Sequence, residues 1–212
     1  MRAVRALAIA LLLLVANCVK DSCPVSYTDD VEQVYPLILG NKYRYYHVTQ
    51  WGSYYYTLEI RRDSLINGKR YFGFYKYYPN YTPHFILDDL IRVENGHVYS
   101  YQYTGMYKDH LIFDYNAQVG DTIPFDVFEY GRVTAITEGQ VFGEPQKLYH
   151  LVSVGGSWTD SVVFATKFGK IAEYGKLVNL KLVGAIIDCQ EYGYVTSIYD
   201  KSTSSHRLKA SQ

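Results

Sequence analysis

The sequence lacks the features that mark membrane spans, nucleic-acid surfaces and parallel sheets. Its longest apolar run, residues 6–16, has eleven residues, whereas a membrane-spanning helix needs about 20. Basic and acidic residues are equal in number, 21 of each, and a nucleic-acid surface needs a basic excess. No later segment has the pattern of a long amphipathic helix, so right-handed βαβ units are excluded. We therefore expect no nucleic-acid partner and no parallel α/β sheet.

Motifs for catalysis, metals and cofactors are also absent. The sequence contains no Gly-x-Ser-x-Gly elbow, no glycine-rich nucleotide loop and no His-Glu-x-x-His zinc motif. None of the six histidines has a second His or Cys at metal-ligand spacing. The adjacent Asp88 and Asp89 are expected on opposite faces of a strand, where they cannot share one substrate. We therefore expect no metal and no cofactor, and a non-catalytic role is favoured over an enzymatic one.

Short segments rich in Tyr, Val, Ile, Phe and Thr, separated by turn signals, make up most of the chain. Such residues favour strands, which are predicted at 42–49, 54–62, 69–78, 85–93, 97–103, 110–115, 130–137, 146–154, 161–167, 170–174 and 178–188. Asn67-Gly68 and Asn95-Gly96 predict tight hairpins because both residue types tolerate positive φ. The predicted fold is all-β, an antiparallel meander whose curved sheet forms a barrel or half-barrel. A two-sheet β-sandwich is the alternative.

The first residues carry an export pattern. Two arginines precede the short apolar run, which is typical of a secretory signal peptide. Residues 14–18, Leu-Val-Ala-Asn-Cys, resemble the cleavage site of bacterial lipoproteins, although Val15 and Asn17 depart from its usual residues. The following Lys-Asp resembles the surface-export signal of Bacteroidota lipoproteins. This resemblance implies a lipid on Cys18 and a location in the outer membrane or at the cell surface; the alternative is an ordinary signal peptide and a secreted or periplasmic protein.

The cysteine count agrees with a lipid anchor. There are three cysteines, Cys18, Cys23 and Cys189, and an odd number in an exported protein leaves one thiol to be explained. If Cys18 carries the lipid, Cys23 and Cys189 could form a disulfide that joins the two ends of the domain. The alternative is two free thiols.

Two parts of the chain resemble uncharacterised secreted all-β domains of Bacteroidota. Residues 35–45 contain Tyr-Pro-Leu, a short apolar link, Gly-Asn-Lys and an aromatic strand, as in the lead-in of those domains. Residues 164–174 and 182–193 resemble their ending, in which a glycine turn joins two strands and a last apolar strand stops before Tyr-Gly. Here Lys170 stands where a second Gly is often found. The resemblance implies a fold context and no activity.

Tyrosine is the compositional outlier, with 24 of the 212 residues. Its rings can stack on sugars, but tyrosine is also an ordinary strand residue with an apolar body and a polar tip. Side chains of a strand alternate between its two faces, and residues 71–78 have aromatics on both faces. One face is therefore expected in the core and the other exposed or lining a cavity. Trp51 and Trp158 lie in turn-like segments, and functional residues are often found on loops. The predicted ligand-binding residues are Trp51, Trp158, Tyr54, Tyr56, Tyr75 and Tyr77.

These patterns predict a signal peptide at 1–17, a lipid-anchored tether at 18–34, a single β domain at 35–195 and a polar C-terminal tail at 196–212. The functional hypothesis is a non-catalytic cell-envelope lipoprotein, attached to the membrane by its lipid, that binds a ligand or acts as a scaffold. One alternative is a surface module that binds glycans through exposed Tyr and Trp, and an envelope protein is a further candidate partner. The other alternative is a hydrolase with carboxylates from separate strands.

Overall fold

The computed structural model describes residues 35–79, 82–103, 106–126, 129–155 and 159–195. The signal peptide, tether and tail predicted from the sequence lie outside these ranges. Within them, all regular secondary structure is β-strand and no helix is present. The all-β prediction is confirmed.

Thirteen strands are formed by the described residues. They are β1 (Lys42–Thr49), β2 (Gly52–Ile66), β3 (Lys69–Tyr78), β4 (Thr82–Glu94), β5 (His97–Tyr103), β6 (Met106–Asp114), β7 (Thr122–Pro124), β8 (Tyr130–Val141), β9 (Glu144–Val154), β10 (Thr159–Ala165), β11 (Gly169–Gly175), β12 (Val178–Ile187) and β13 (Gln190–Gly193). Each of the eleven strands predicted from the sequence is present. The two additional strands, β7 and β13, have only three and four residues.

All these strands belong to one antiparallel sheet. Its order is β6-β5-β4-β3-β2-β1-β12-β11-β10-β9-β8-β7, and β13 pairs with β12 beside this path. Two meanders are joined where β1 pairs with β12, with Lys42 opposite Ile186 and Thr49 opposite Val178. The sheet curls until its two end strands, β6 and β7, come close without pairing. The result is a barrel that is nearly closed, with one unsealed seam, and not a two-sheet sandwich.

The two Asn-Gly turns have the predicted geometry. Asn67 and Gly68 have φ values of 51° and 77°, and Asn95 and Gly96 have 52° and 77°. Two successive positive φ values define the turn that matches the twist of a two-residue hairpin, and this turn disfavours most other residues. These dipeptides therefore fix the registers of β2 with β3 and of β4 with β5.

Residues 35–41 cover one end of the barrel. Asn41 is buried and donates to the carbonyl of Pro36 at 3.0 Å, while its Oδ1 accepts the backbone N–H of Asp188 at 2.9 Å. Gly40 donates to the carbonyl of Ile60 at 2.7 Å. These bonds connect the segment to β2 and to the turn after β12. The Tyr-Pro-Leu lead-in is thus held against the barrel, and its Leu37 is part of the core.

Candidate ligand-binding cavity

The inner face of the barrel borders a partly open cavity. Its volume is about 410 Å³, within the range of sites that hold small molecules. Strands from both meanders contribute to it, and so do the loops on either side of the seam. The lining residues are Tyr35, Tyr45, Tyr56, Leu58, Phe74, Lys76, Asp88, Asp89, Ile91, Val98, Ile112, Phe113, Tyr115, Phe125, Asp126, Phe164, Gly169, Lys170 and Leu180.

Aromatic rings form one part of the lining, which we call the aromatic wall: Tyr35, Tyr45, Tyr56, Phe74, Phe113, Tyr115, Phe125 and Phe164. Phe113 stacks on Phe164 with ring centroids 3.9 Å apart, and Tyr45 stacks on Tyr56 at 5.2 Å. Burial raises the pKa values of Tyr45 and Tyr56, so both hydroxyls are neutral in the physiological range. The wall therefore offers rings and hydroxyl groups without adding charge.

Two lysines and their carboxylate partners form another part of the lining. Lys76 Nζ lies 2.8 Å from Asp88 Oδ1, and Lys170 Nζ lies 3.0 Å from Glu173 Oε2. Both lysine side chains retain 24% exposure, and both line the cavity. Burial opposes the charge on each lysine, but the neighbouring carboxylates outweigh it and raise both lysine pKa values. Both lysines are therefore charged at neutral pH.

Further carboxylates surround Lys170. Asp126 and Glu129, as well as Glu173, favour its charged form electrostatically. Glu173 accepts a hydrogen bond from Thr159 Oγ1 at 2.8 Å, and its pKa is lowered, because Lys170 and Thr159 outweigh the opposing effect of burial. The pKa of Glu129 is raised, first by burial and then by the charge of Glu173. Carboxylates thus outnumber the ammonium group at this position.

β-Bulges bring these charges to the interior. Phe74 pairs with Asp89 and Tyr75 with Leu87, so Asp88 is an extra residue in β4 and both aspartates line one cavity. The prediction that Asp88 and Asp89 cannot share a site was wrong, because it assumed unbroken alternation.

A second bulge has the same effect in β11. Val163 pairs with Ala172 and Phe164 with Lys170, which leaves Ile171 as the extra residue. In a regular strand Lys170 and Glu173 would point to opposite faces, since they are three positions apart. The bulge places them side by side.

A histidine–tyrosine cluster lies next to these charges. His47 Nδ1 lies 2.6 Å from Tyr54 Oη, and the rings of Tyr54 and Tyr56 each lie within 6 Å of the Tyr78 ring. The pKa of His47 is lowered, mainly by burial, which keeps the ring neutral at pH 7. Its Nε2 is buried and has no hydrogen-bond partner among the described residues.

The predicted tyrosines fall on opposite faces of the sheet. Tyr56 lines the cavity, and the ring of Tyr54 packs against the ring of Tyr56. Tyr75 and Tyr77 alternate with the inward-facing Phe74 and Lys76, so they lie on the outer surface, where Tyr77 stacks on Phe85 at 5.0 Å. The structure therefore does not bring the four predicted tyrosines into one site.

The tryptophans and cysteines are only partly described. Trp51 lies at the turn between β1 and β2 and is 84% exposed. Trp158, Cys18 and Cys23 lie outside the described residues. Cys189 is disulfide-bonded, and the predicted pairing with Cys23 stays a prediction.

The sequence analysis did not select the charged residues of the lining. One of them carries a readable signal: Lys76 continues the inward row of Phe72 and Phe74, where an apolar residue is expected. Asp126 and Lys170 carry no such signal, because a loop and a bulge determine their direction.

Comparisons with known proteins give no function to transfer. The chain matches no protein-family model, no curated protein and no solved structure. Among the described residues, no group of three or more His, Cys, Asp or Glu side chains is arranged to hold a metal ion. The same residues contain no helix that could cross a membrane.

Proposed function

We propose that this protein is a non-catalytic binding protein of the cell envelope that holds a small, partly apolar molecule inside its barrel. The observation that carries the proposal is the cavity of about 410 Å³, walled by aromatic rings and lysine–carboxylate pairs. Protein interiors are normally packed to the density of organic crystals. A barrel that served only as a scaffold would gain stability by filling this space with side chains.

The polar part of the lining supports the same function. Burying an ion pair often stabilises a protein less than well-packed apolar residues would. The Lys170–Glu173 pair, with side chains 24% and 16% exposed, is partly buried beside the cavity, and the Lys76–Asp88 pair lies nearer the solvent. They give the cavity the few oriented polar groups that set specificity in small-molecule sites.

Binding in the cavity is tested with N-phenyl-1-naphthylamine, a neutral dye whose fluorescence rises in apolar surroundings. We expect saturable binding to the wild type and at least a tenfold loss of affinity in Leu58→Trp, which fills the cavity from β2. The control is Leu65→Trp near the far end of the same strand, whose side chain is 76% exposed and lies outside the cavity lining. No binding, or equal binding to both variants of native circular dichroism, would overturn the proposal.

The envelope location is proposed from the N-terminal sequence, where Cys18 follows an apolar run in the manner of lipoprotein signals. Mass spectrometry of the membrane-extracted protein should show a chain that begins at an acylated Cys18. Cys18→Ser should release the protein from the membrane fraction. A mature chain with an unmodified Cys18 would contradict the anchor.

Of the described residues predicted to bind a glycan, Trp51, Tyr75 and Tyr77 lie on the outer surface, and Tyr54 and Tyr56 point inward. A glycan array compares the wild type with Trp51→Ala and with the cavity variant Leu58→Trp. Loss of a glycan signal in Trp51→Ala alone would place recognition at this turn and not in the cavity.

A hydrolase is the second candidate, and one observation favours it. The pKa of Glu129 is raised and that of Glu173 is lowered, although both lie near Lys170. Carboxyl pairs whose pKa values are driven apart are typical of acid–base catalysis. Chromogenic glycosides and esters test this candidate: it requires turnover that both Glu129→Gln and Glu173→Gln abolish.

A further inference from the structure

The charges around the cavity do not balance. Five carboxylates lie in its lining or next to its lysines, those of Asp88, Asp89, Asp126, Glu129 and Glu173. Within the described part of the chain, the ammonium groups that line this cavity are those of Lys76 and Lys170. The remaining charge of this group is negative whichever carboxylates the lysines contact.

Both lysines already have carboxylate partners. Lys76 contacts Asp88 at 2.8 Å and Lys170 contacts Glu173 at 3.0 Å. An anionic ligand would have to break one of these pairs and would leave the displaced carboxylate uncompensated in a site of low dielectric. The lining therefore disfavours an anion, even though it contains two lysines.

The carboxylate excess also acts on Glu129, which lies outside the lining. Glu129 is driven towards its protonated form by burial and by the charges of Glu173 and Asp126. A cation entering the cavity would lower this repulsion, and a neutral molecule would not. The cavity therefore gains electrostatic energy from a cationic ligand.

The aromatic wall accepts positive charge as well. Lys76 Nζ lies 5.2 Å from the centroid of the Tyr56 ring, within the distance at which a ring face attracts a cation. Tyr45 stacks on the same ring and lines the same cavity. Rings of this kind also pack against the apolar body of a ligand.

We propose that the cavity binds an organic amine, whose ammonium group contacts the carboxylates near Lys170 and whose apolar body packs on the aromatic wall. This inference rests on the proposed binding function. It selects the class of ligand from the charge of the lining, and it names Asp126, which lines the cavity, as the residue that recognises the ammonium group.

Three probes with one carbon skeleton test the inference by isothermal titration calorimetry near neutral pH: phenylbutylamine, phenylbutanol and phenylbutyrate. A charge-assisted hydrogen bond is stronger than a neutral one. We therefore expect the amine to bind about tenfold or more tightly than the alcohol, and the carboxylate to bind most weakly. The advantage of the amine should decrease as salt is added.

Variants locate the charged contact. Asp126→Asn should reduce amine affinity at least fivefold and leave alcohol affinity unchanged. The matched control is Asp160→Asn, an exposed position on β10 outside the lining, which should change neither. If Asp126→Asn does not fold, Glu129→Gln takes its place with the same expectation.

The outcomes separate this inference from the proposed function. Equal affinity for the three probes, or a preference for the carboxylate, would overturn the amine and retain a binding cavity. An amine preference that Asp126→Asn and Glu129→Gln both leave intact would also overturn it. If neither the probes nor the naphthylamine dye bind, the proposed function itself fails.

Discussion

In the part of the chain that the structure describes, a charged cluster lies on the outer face of the sheet and another on its inner face, and the two differ in what surrounds them. The outer cluster centres on Arg92, which contacts Glu94 at 2.5 Å and Asp109 at 2.8 Å and lies 3.9 Å from the Tyr99 ring centroid. Tyr71 donates a hydrogen bond to Asp109 as well. These contacts connect four neighbouring strands, β3 to β6. The outer cluster is a structural cross-link.

The inner cluster around Lys170 differs in two respects. Its carboxylates outnumber its ammonium group, and Lys170 and Asp126 border an empty volume. A shifted pKa does not distinguish the two faces, since both clusters contain one. What distinguishes the inner cluster is its charge imbalance beside a cavity, and the amine proposal rests on that difference.

The largest loss of stability is expected from a substitution that breaks the outer cluster. Arg92→Ala removes a guanidinium whose side chain is 6% exposed and leaves Asp109 without its main partner. Loss of one member of a buried pair costs about 3 kcal/mol, which urea unfolding should show. The control Arg70→Ala breaks the more exposed pair with Asp63, 37% and 36% exposed, and should cost about 1 kcal/mol or less. Equal losses would contradict a structural role specific to Arg92.

The next effect concerns the inner cluster. Lys170→Met should cost about 2 kcal/mol in urea unfolding, because Glu173 then faces Asp126 and Glu129 without an ammonium group. The double variant Lys170→Met with Glu173→Gln should recover at least half of this loss. Recovery is the decisive result, since a purely steric effect of methionine would persist in the double variant.

The decrease in stability at acidic pH provides a further test of the outer cluster. Arg92 and Tyr71 outweigh the effect of burial and lower the pKa of Asp109 from 3.8 to about 2. Because the folded-state pKa is depressed, the stabilisation from Asp109 is present above pH 4 and is lost as the pH falls from about 4 to 2. Asp109→Asn should therefore lower stability at pH 6 and flatten its decrease between pH 4 and pH 2. An unchanged acid profile would contradict this assignment.

The smallest effect has the opposite sign. A raised carboxyl pKa in the folded state means that ionised Glu129 destabilises the protein at neutral pH. Glu129→Gln should raise the free energy of unfolding at pH 7 slightly, and the gain should disappear below the unfolded pKa near 4.5. Thermal melts at pH 7 and pH 4 measure the difference. Glu129 also has a hydrogen bond with Thr159, and a loss of stability at pH 7 would show that this bond outweighs the repulsion.

Local patterns predicted the strands well because their causes are local. Asn67-Gly68 and Asn95-Gly96 require positive φ, and the two-residue alternation of 71–78 separates the Tyr71 face from the Phe72 face. The short β13 escaped prediction because a strand of four residues has too little alternation to detect. The pairing of β1 with β12 joins residues about 140 positions apart, beyond the reach of any local rule.

The site was less predictable than the fold. Tyr56 and Tyr77 point to opposite faces of the sheet, but this is visible only once the register of β2 against β3 is known. The register is a property of the folded sheet and cannot be read from either strand alone. Asp88 became part of the lining through a bulge, which reverses every inference from alternation beyond it. Among the charged lining residues, Lys76 is the one that its strand pattern could have revealed.

The bulge in β4 has a consequence for how such a barrel could diverge. Because Asp88 is one extra residue between two paired positions, its deletion would restore regular pairing and leave a single aspartate facing inward. The cavity lining would lose the carboxylate of Asp88, and Lys76 would lose its counter-ion, without any substitution. The charge of this interior can therefore change through the insertion or deletion of a single residue within a strand, where sequence comparison usually expects none.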